Sequence, residues 1–430
     1  MKTFLLLTIW AIVFRSQLSA QEVLPDSLTM KQSVAIALAN HPSLRVAEAA
    51  QRFSLSNVTG TQANYFPSIN LNASDTRTGG FVSVNPSLPS RTEFYSSYSS
   101  GVSLQQTVYD FGKTGGRVSA SKEIYNASSF DYASTREDVI MNVELAYIAF
   151  VQFQHVVKVD EEAVTQAEVH LKEAQAGYSV GSRPQFDVTK SEVDLANANV
   201  NLISARNQVR IAKLQFENAM GFHPPREYAV QDIFESTTPP FTTSLDTAKI
   251  IALRTRSEIL AGEATVHADQ SLIAAAWDQH LPSVLLNGSY TWNGFDFPLL
   301  SQWKAGLTFT VPVFEGFSVS SQVEEAQATA DAAQSSLDLL KESVLLDVEQ
   351  NYLSVKEASE RIVASQKLVT ESEENLRLAE GRYNSGVGSP IEITDAQVSL
   401  SNARITYVQA LSDYNSFLIR LRHAMGIIAQ

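Results

Sequence analysis

The 430 residues contain no cysteine. That excludes a disulfide framework, a thiolate metal site, a cysteine nucleophile and a lipid anchor on an N-terminal cysteine. Positive charge is scarce as well: 32 Lys and Arg stand against 46 Asp and Glu, a net charge of −14. A broad grip on nucleic acid needs clustered cations to displace counterions, so no nucleic-acid partner is expected. The seven histidines are scattered and form no HExxH-type pair, so no metal site or cofactor is expected. No paired carboxylates and no Ser/His/Asp set stand out, and no catalytic residue is expected: the chain does not read as an enzyme. Gly112-Lys113-Thr114 resembles the end of a phosphate-binding loop, but Thr107 stands where that loop needs glycine. Asp110-Phe111-Gly112 matches a kinase metal triplet without any other kinase element.

Long apolar runs are missing too. Lys2 precedes an apolar run of eleven residues, Phe4 to Phe14, and Leu18-Ser19-Ala20 follows. Charged, apolar and small residues in that order make residues 1–20 a secretory signal peptide; a spanning helix needs about 20 apolar residues. Its removal takes away Lys2 and Arg15 and leaves a net charge of −16. No later stretch reads as apolar enough for a spanning helix. Export leads to the periplasm, the medium or the outer membrane.

What is present is written twice. Asn64-Tyr65-Phe66-Pro67-Ser68-Ile69 recurs as Gln279-His280-Leu281-Pro282-Ser283-Val284, an offset of 215. Further on the offset is 205: Val108-Tyr109-Asp110 pairs with Val313-Phe314-Glu315, Tyr178 with Tyr383, Gly181 with Gly386, and Ala219-Met220-Gly221 with Ala424-Met425-Gly426. This internal twofold repeat divides the mature chain into 21–221 and 244–426, with a linker 222–243 and a tail 427–430. The extra residues of the first copy fall between Asp75 and Gly101, rich in Gly, Pro and Ser, and read as a longer exposed loop.

Each copy holds a strand pair, about 67–108 and about 282–313. Trp303, Ala305, Leu307, Phe309 and Val311 alternate with Lys304, Gly306, Thr308 and Thr310, so one face is apolar and the other polar. Runs of about ten residues fit either a soluble sandwich strand or a tilted strand crossing a bilayer. Trp292 and Trp303 lie near the hairpin end, where an aromatic girdle would sit. Long helices follow, about 117–176 and about 317–383. Sixty helical residues make a rod of roughly 90 Å, too long for a compact domain, so these helices pack as coiled-coil-like hairpins with 187–220 and 391–425. A filamentous coiled coil would not explain the inserted strand pairs.

The tips, 177–186 and 384–390, are tight helical turns. Ser389-Pro390-Ile391-Glu392 reads as N-cap, proline at the first helical position and a capping glutamate. Ser182-Arg183-Pro184-Gln185 reads as a second such cap. Val180, Gly181 and Ser182, with Gly386, Val387 and Gly388, carry little side chain, so a partner can approach closely; the glycines serve equally to make the turn.

The order of helix, two strands, long helix, Tyr-x-x-Gly tip and helix, repeated after a signal peptide, resembles the outer membrane efflux protein family, the TolC-like channels. Leu28-Thr29-Met30 through Leu38 with Asn40-His41-Pro42, Tyr109-Asp110-Phe111-Gly112, and Gly177-Tyr178-Ser179-Val180-Gly181-Ser182 carry the likeness, over residues 28–426. The resemblance implies a mainly α fold with β: long α-helical hairpins forming a periplasmic barrel, plus four strands per chain contributed to a trimeric, 12-stranded outer-membrane β-barrel. It implies a homotrimer in the outer-membrane lipid of a Gram-negative bacterium, docked through a periplasmic adaptor (membrane fusion) protein to an inner-membrane pump. The function implied is the outer-membrane channel of a tripartite efflux or type I secretion system. Glu392 and Asp395 match the family's acidic periplasmic gate, with Asp187 as an outer ring, Tyr178 and Tyr383 beside it, and the tip residues named above as adaptor contacts. Glu392 also reads as no more than the capping-box acid of its helix. Gly388 stands where some relatives carry a basic gate partner. The rival reading is an exported coiled-coil structural protein or adhesin without a conduit.

Overall fold

The computed structural model describes residues 27–82, 91–221, 228–234 and 241–428. The signal segment 1–20, much of the linker, and Pro86 and Pro89 lie outside the described residues.

After β1 (Ser27–Leu28) come α1 (Met30–Asn40) and α2 (Pro42–Gln62), then β2 (Ser68–Val82), β3 (Arg91–Tyr109), α3 (Lys113–Ser179) and α4 (Gln185–Met220). After β4 (Ala229–Val230) come α5 (Leu245–Thr255), α6 (Ser257–Trp277), β5 (Ser283–Gly294), β6 (Leu300–Thr310), α7 (Ser318–Asn384) and α8 (Pro390–Ala424). Each half therefore runs helices of 11 and 21 residues, two strands, a helix of 67 residues and a return helix of 36 or 35. The two longest helices each measure about 100 Å.

The α-helical part is held by narrow seams. On α7, Ala358, Ser365, Ser372 and Ala379 are buried; on α8, so are Ala396, Ala403 and Ala410. These positions recur every seven residues, the period of a left-handed coiled coil, and their small side chains let the helices approach closely. Larger residues gather at the other end of the rods. Tyr147, Phe216, Val143 and Met220 are fully buried in one cluster with α1, and Val348, Ile259 and Leu421 in its counterpart with α5. There β1 and β4 pair in parallel, and the Tyr147 hydroxyl donates to the carbonyls of Leu28 at 3.0 Å and Gln231 at 2.7 Å. Burial pushes that phenol up to about 12. Contrary to the sequence expectation, α3 contains a stretch long and apolar enough, by length and composition, to cross a membrane. Its apolarity has another cause: α3 carries Val139, Val143, Tyr147, Phe150 and Val151, the packing face of the first cluster.

β2, β3, β5 and β6 form one antiparallel sheet in that order. Register puts Ile69, Leu71, Val102, Leu104, Tyr290, Trp303, Leu307 and Phe309 on one face, and Asn70, Asn72, Ser103, Asn287, Ser289, Lys304 and Thr308 on the other. The apolar face is open: Leu71 is 79% exposed and Trp303 71%. The first strand pair departs from expectation. β2 has 15 residues and β3 has 19, against 12 and 11 for β5 and β6. Gly79 and Gly80 therefore continue the ladder, opposite Phe94 and Glu93, rather than opening a loop. Pairing satisfies backbone groups that a loop would leave to water, and Gly79 fits because the Phe94 ring lies 2.6 Å from where a Cβ would stand.

The strings discounted as motifs make the strand-to-helix turn. Phe111 and Gly112 have positive φ, and the Asp110 carboxylate accepts from the Thr114 N–H at 2.8 Å, satisfying a free donor at the start of α3. The helix runs through Gly115 and Gly116, earlier than the sequence reading placed it. A Cβ on Gly116 would lie 2.9 Å from that of Ala275 on α6, so glycine permits that close crossing.

Candidate functional site

The two tips, one between α3 and α4 and one between α7 and α8, are built alike. At the first, the Ser182 N–H donates to the Gly177 carbonyl at 2.9 Å and the Gly181 N–H to that of Tyr178 at 3.0 Å. At the second, Val387 donates to Arg382 at 3.1 Å and Gly386 to Tyr383 at 3.0 Å. Both are Schellman motifs, which satisfy the last carbonyls of a helix through one left-handed residue. Gly181 and Gly386 supply it, with φ of 72° and 77°. Gly388 serves a different need: a Cβ there would lie 2.8 Å from the Tyr383 backbone nitrogen.

The restarts differ. Ser389 caps α8 in a capping box with Glu392, with Pro390 at the first helical position. Ser182 does not cap α4. Its hydroxyl instead donates to the Gly177 carbonyl at 3.0 Å, and α4 starts after Pro184 with no side-chain cap. A serine two residues nearer the preceding helix than a cap should be is closer to that helix's free carbonyls.

The acidic residues take separate places. Asp187, in the first turn of α4, is 7% exposed, and it lies close enough to Tyr383 for its negative charge to help raise the phenol. The Arg183 guanidinium lies over the Tyr383 ring, 4.3 Å from its centroid. Burial is the main cause that raises the Tyr383 phenol above its ordinary range, and Arg183 opposes it. The structure thus brings Asp187, Arg183 and Tyr383 together across the two halves of the chain. Glu392 is exposed and pairs with Arg382 at 3.1 Å. That hydrogen bond, with a second from the Ser389 N–H, holds its carboxyl below the ordinary range. Asp395 is exposed one turn along α8, and its carboxylate has no hydrogen bond or ion pair among the described residues. Tyr178 is 50% exposed and stands apart from Tyr383's cluster.

Sequence reasoning missed the two arginines, although each tip carries one beside its Tyr-x-x-Gly string. It also missed a second link between α4 and α8, where the Thr394 hydroxyl donates to Asp194 at 2.8 Å and Lys190 pairs with the same carboxylate. The outer surface of the tips is apolar: Val180 is 78% exposed, Val387 69% and Phe186 62%.

The model of the family described as outer membrane efflux protein matches residues 34–222 and 251–427. Outer membrane protein TolC of Escherichia coli (strain K12) is 22% identical over 97% of this chain and 86% of its own. A crystal structure of CusC shares the fold with a TM-score of 0.83 at 18% identity, covering 92% of each chain. The outer membrane protein VceC from Vibrio cholerae does so with a TM-score of 0.78 at 19% identity, over 92% of this chain and 96% of that one.

Proposed function

The chain belongs to the outer membrane efflux protein family, and on that premise we propose that three copies close a twelve-stranded outer-membrane barrel continued by a periplasmic helical tunnel. The observation that carries the reading is the four-stranded sheet with one apolar face and two edges, β2 and β6, unpaired among the described residues. An open edge in lipid leaves backbone groups unsatisfied, so the sheet must close with other copies. Two copies make eight strands, whose interior side chains fill. Three make twelve, an even number with room for a conduit, and β6 of one copy meets β2 of the next antiparallel. The face of Leu71, Tyr290, Trp303 and Phe309 meets lipid, its Trp and Tyr at the interface. The matched helix lengths of the two halves support an internal twofold repeat. Three copies of four long helices then make the tunnel wall.

The tips form the periplasmic entrance and the docking surface. Glu392 and Asp395 lie at i and i+3 on one helical face, so threefold symmetry gathers six carboxylates there, the three of Glu392 paired with Arg382. Asp187, buried near Tyr383, links the two tips rather than standing free. Val180, Gly181, Ser182, Gly386, Val387 and Gly388 meet a periplasmic adaptor that brings an inner-membrane pump, and the pump selects the cargo. No catalytic role is assigned. Analytical ultracentrifugation of the detergent-extracted protein tests the assembly: a trimer is expected, and a water-soluble monomer overturns it.

A further inference from the structure

The polar face of the sheet is almost free of charge. Register aligns Asn70, Ser103, Ser289 and Lys304 in one row across the four strands. Asn72, Gly101, Thr291 and Gln302 form the next row toward the hairpin ends. Lys304 is the one charged residue on this face from the row of Ser68 to that of Ser74. Glu93, opposite Gly80, shares its register but lies ten residues from Ser103 along β3, about 33 Å away. Asp75 and Arg77 belong to the other face, opposite Tyr98 and Ser96. Lys304 is exposed and has no ion pair among the described residues.

We propose that Lys304 is a selectivity-determining anion site of the outer pore, three copies forming one ring that takes multivalent anionic solutes. The inference rests on the trimeric barrel proposed above. In that assembly β2 of the next copy lies beside β6, and its residues on this face are Ser68, Asn70, Asn72, Ser74, Thr76 and Thr78. No carboxylate reaches Lys304 from either side, so its charge stays open to solutes. Twelve strands spaced at about 4.8 Å and tilted by about 40° enclose a barrel roughly 24 Å across between backbones. A lysine stem reaching about 6 Å inward leaves its ammonium about 6 Å from the axis. That is within the Debye length of about 8 Å at physiological salt, so the three fields overlap at the centre. Their sum enriches a monovalent anion on the axis about fivefold over bulk, and a polyanion far more. The enrichment grows as salt is lowered.

The test is block of single-channel current by inorganic tripolyphosphate added on the barrel side of a planar bilayer. The wild-type trimer is expected to be blocked. Lys304→Gln is expected to raise the half-blocking concentration at least tenfold at low salt, less at high salt, and Lys304→Glu to abolish block. The chain has no cysteine, so Lys304→Cys offers a single thiol, expected to react with an impermeant reagent supplied through the pore. Block unchanged by Lys304→Gln, or a folded Lys304→Cys trimer that does not react, overturns the lysine ring while leaving the channel intact. An inserted wild-type trimer that passes no current overturns the channel reading itself, and the ring with it.

Discussion

Removing one oxygen at the tip isolates what holds the two halves together. Tyr383→Phe keeps the ring beneath the Arg183 guanidinium and deletes only the hydroxyl that interacts with the Asp187 carboxylate. That carboxylate belongs to a residue only 7% exposed, so little water can replace the lost hydroxyl. A full hydrogen bond to a charged group contributes about 1.5–3 kcal/mol, which bounds this contact from above. At about 1.4 kcal/mol per factor of ten, the equilibrium between a closed and a parted tip moves by up to roughly 150-fold. Asp187→Asn keeps an acceptor for the phenol and should cost about 0.5–1.5 kcal/mol less than Asp187→Ala. Tyr383→Phe with Asp187→Ala should cost much less than the sum of the two, since both remove the same contact. Open probability in planar bilayers reads the effect. The thermal midpoint should not move, because Tyr383 packs on a small cluster of Ala379, Ile393 and Ala396 separate from the two large ones. Equal open probability for wild type and Tyr383→Phe, or simple additivity in the double variant, would refute the reasoning.

Three further outcomes are expected. Glu392→Gln with Asp395→Asn should lower cation selectivity and block by divalent cations; glutamine still completes a capping box, so the change reports charge, and unaltered currents would remove the acidic ring from these residues. Because Arg382 holds the Glu392 carboxyl below its ordinary range, that pair persists as pH falls through the usual carboxylate range and is lost only as pH falls through the lowered value. Bulky substitution at Ser182 or Val387 should abolish export while trimer and outer-membrane levels stay normal; unchanged export would separate these residues from adaptor contact. Asp160 is 7% exposed and burial raises its carboxyl, so the charged form opposes folding above that raised value. Asp160→Asn should therefore raise the thermal midpoint at neutral pH, with a gain that vanishes as pH falls below the ordinary carboxylate range; a gain independent of pH would contradict this.

Local chemistry was open to reading along the chain. A left-handed glycine after a helix, or a serine followed by proline and glutamate, acts within one turn, so Gly181, Gly386 and the Ser389 cap were legible from their neighbours alone. Period-two alternation separated the faces of β6 for the same reason. Features set by distant pairing were not. Gly79 and Gly80 look like loop residues until β3 supplies hydrogen-bond partners for them. The apolar stretch of α3 is written in the sequence, but only the packing of Phe216 and Leu28 against it shows what it buries. Ser182 offered a cap in the wrong place because the nearest free carbonyl belonged to the helix behind it. Asp187 and Tyr383 belong to different halves, and only the packing of those halves buries an acid expected in an outer ring and sets it near that phenol. Lys304 was an ordinary polar-face residue in its own strand. Only the register of all four strands leaves it without a counter-charge, because electrostatics depends on distance in space and not on separation along the chain.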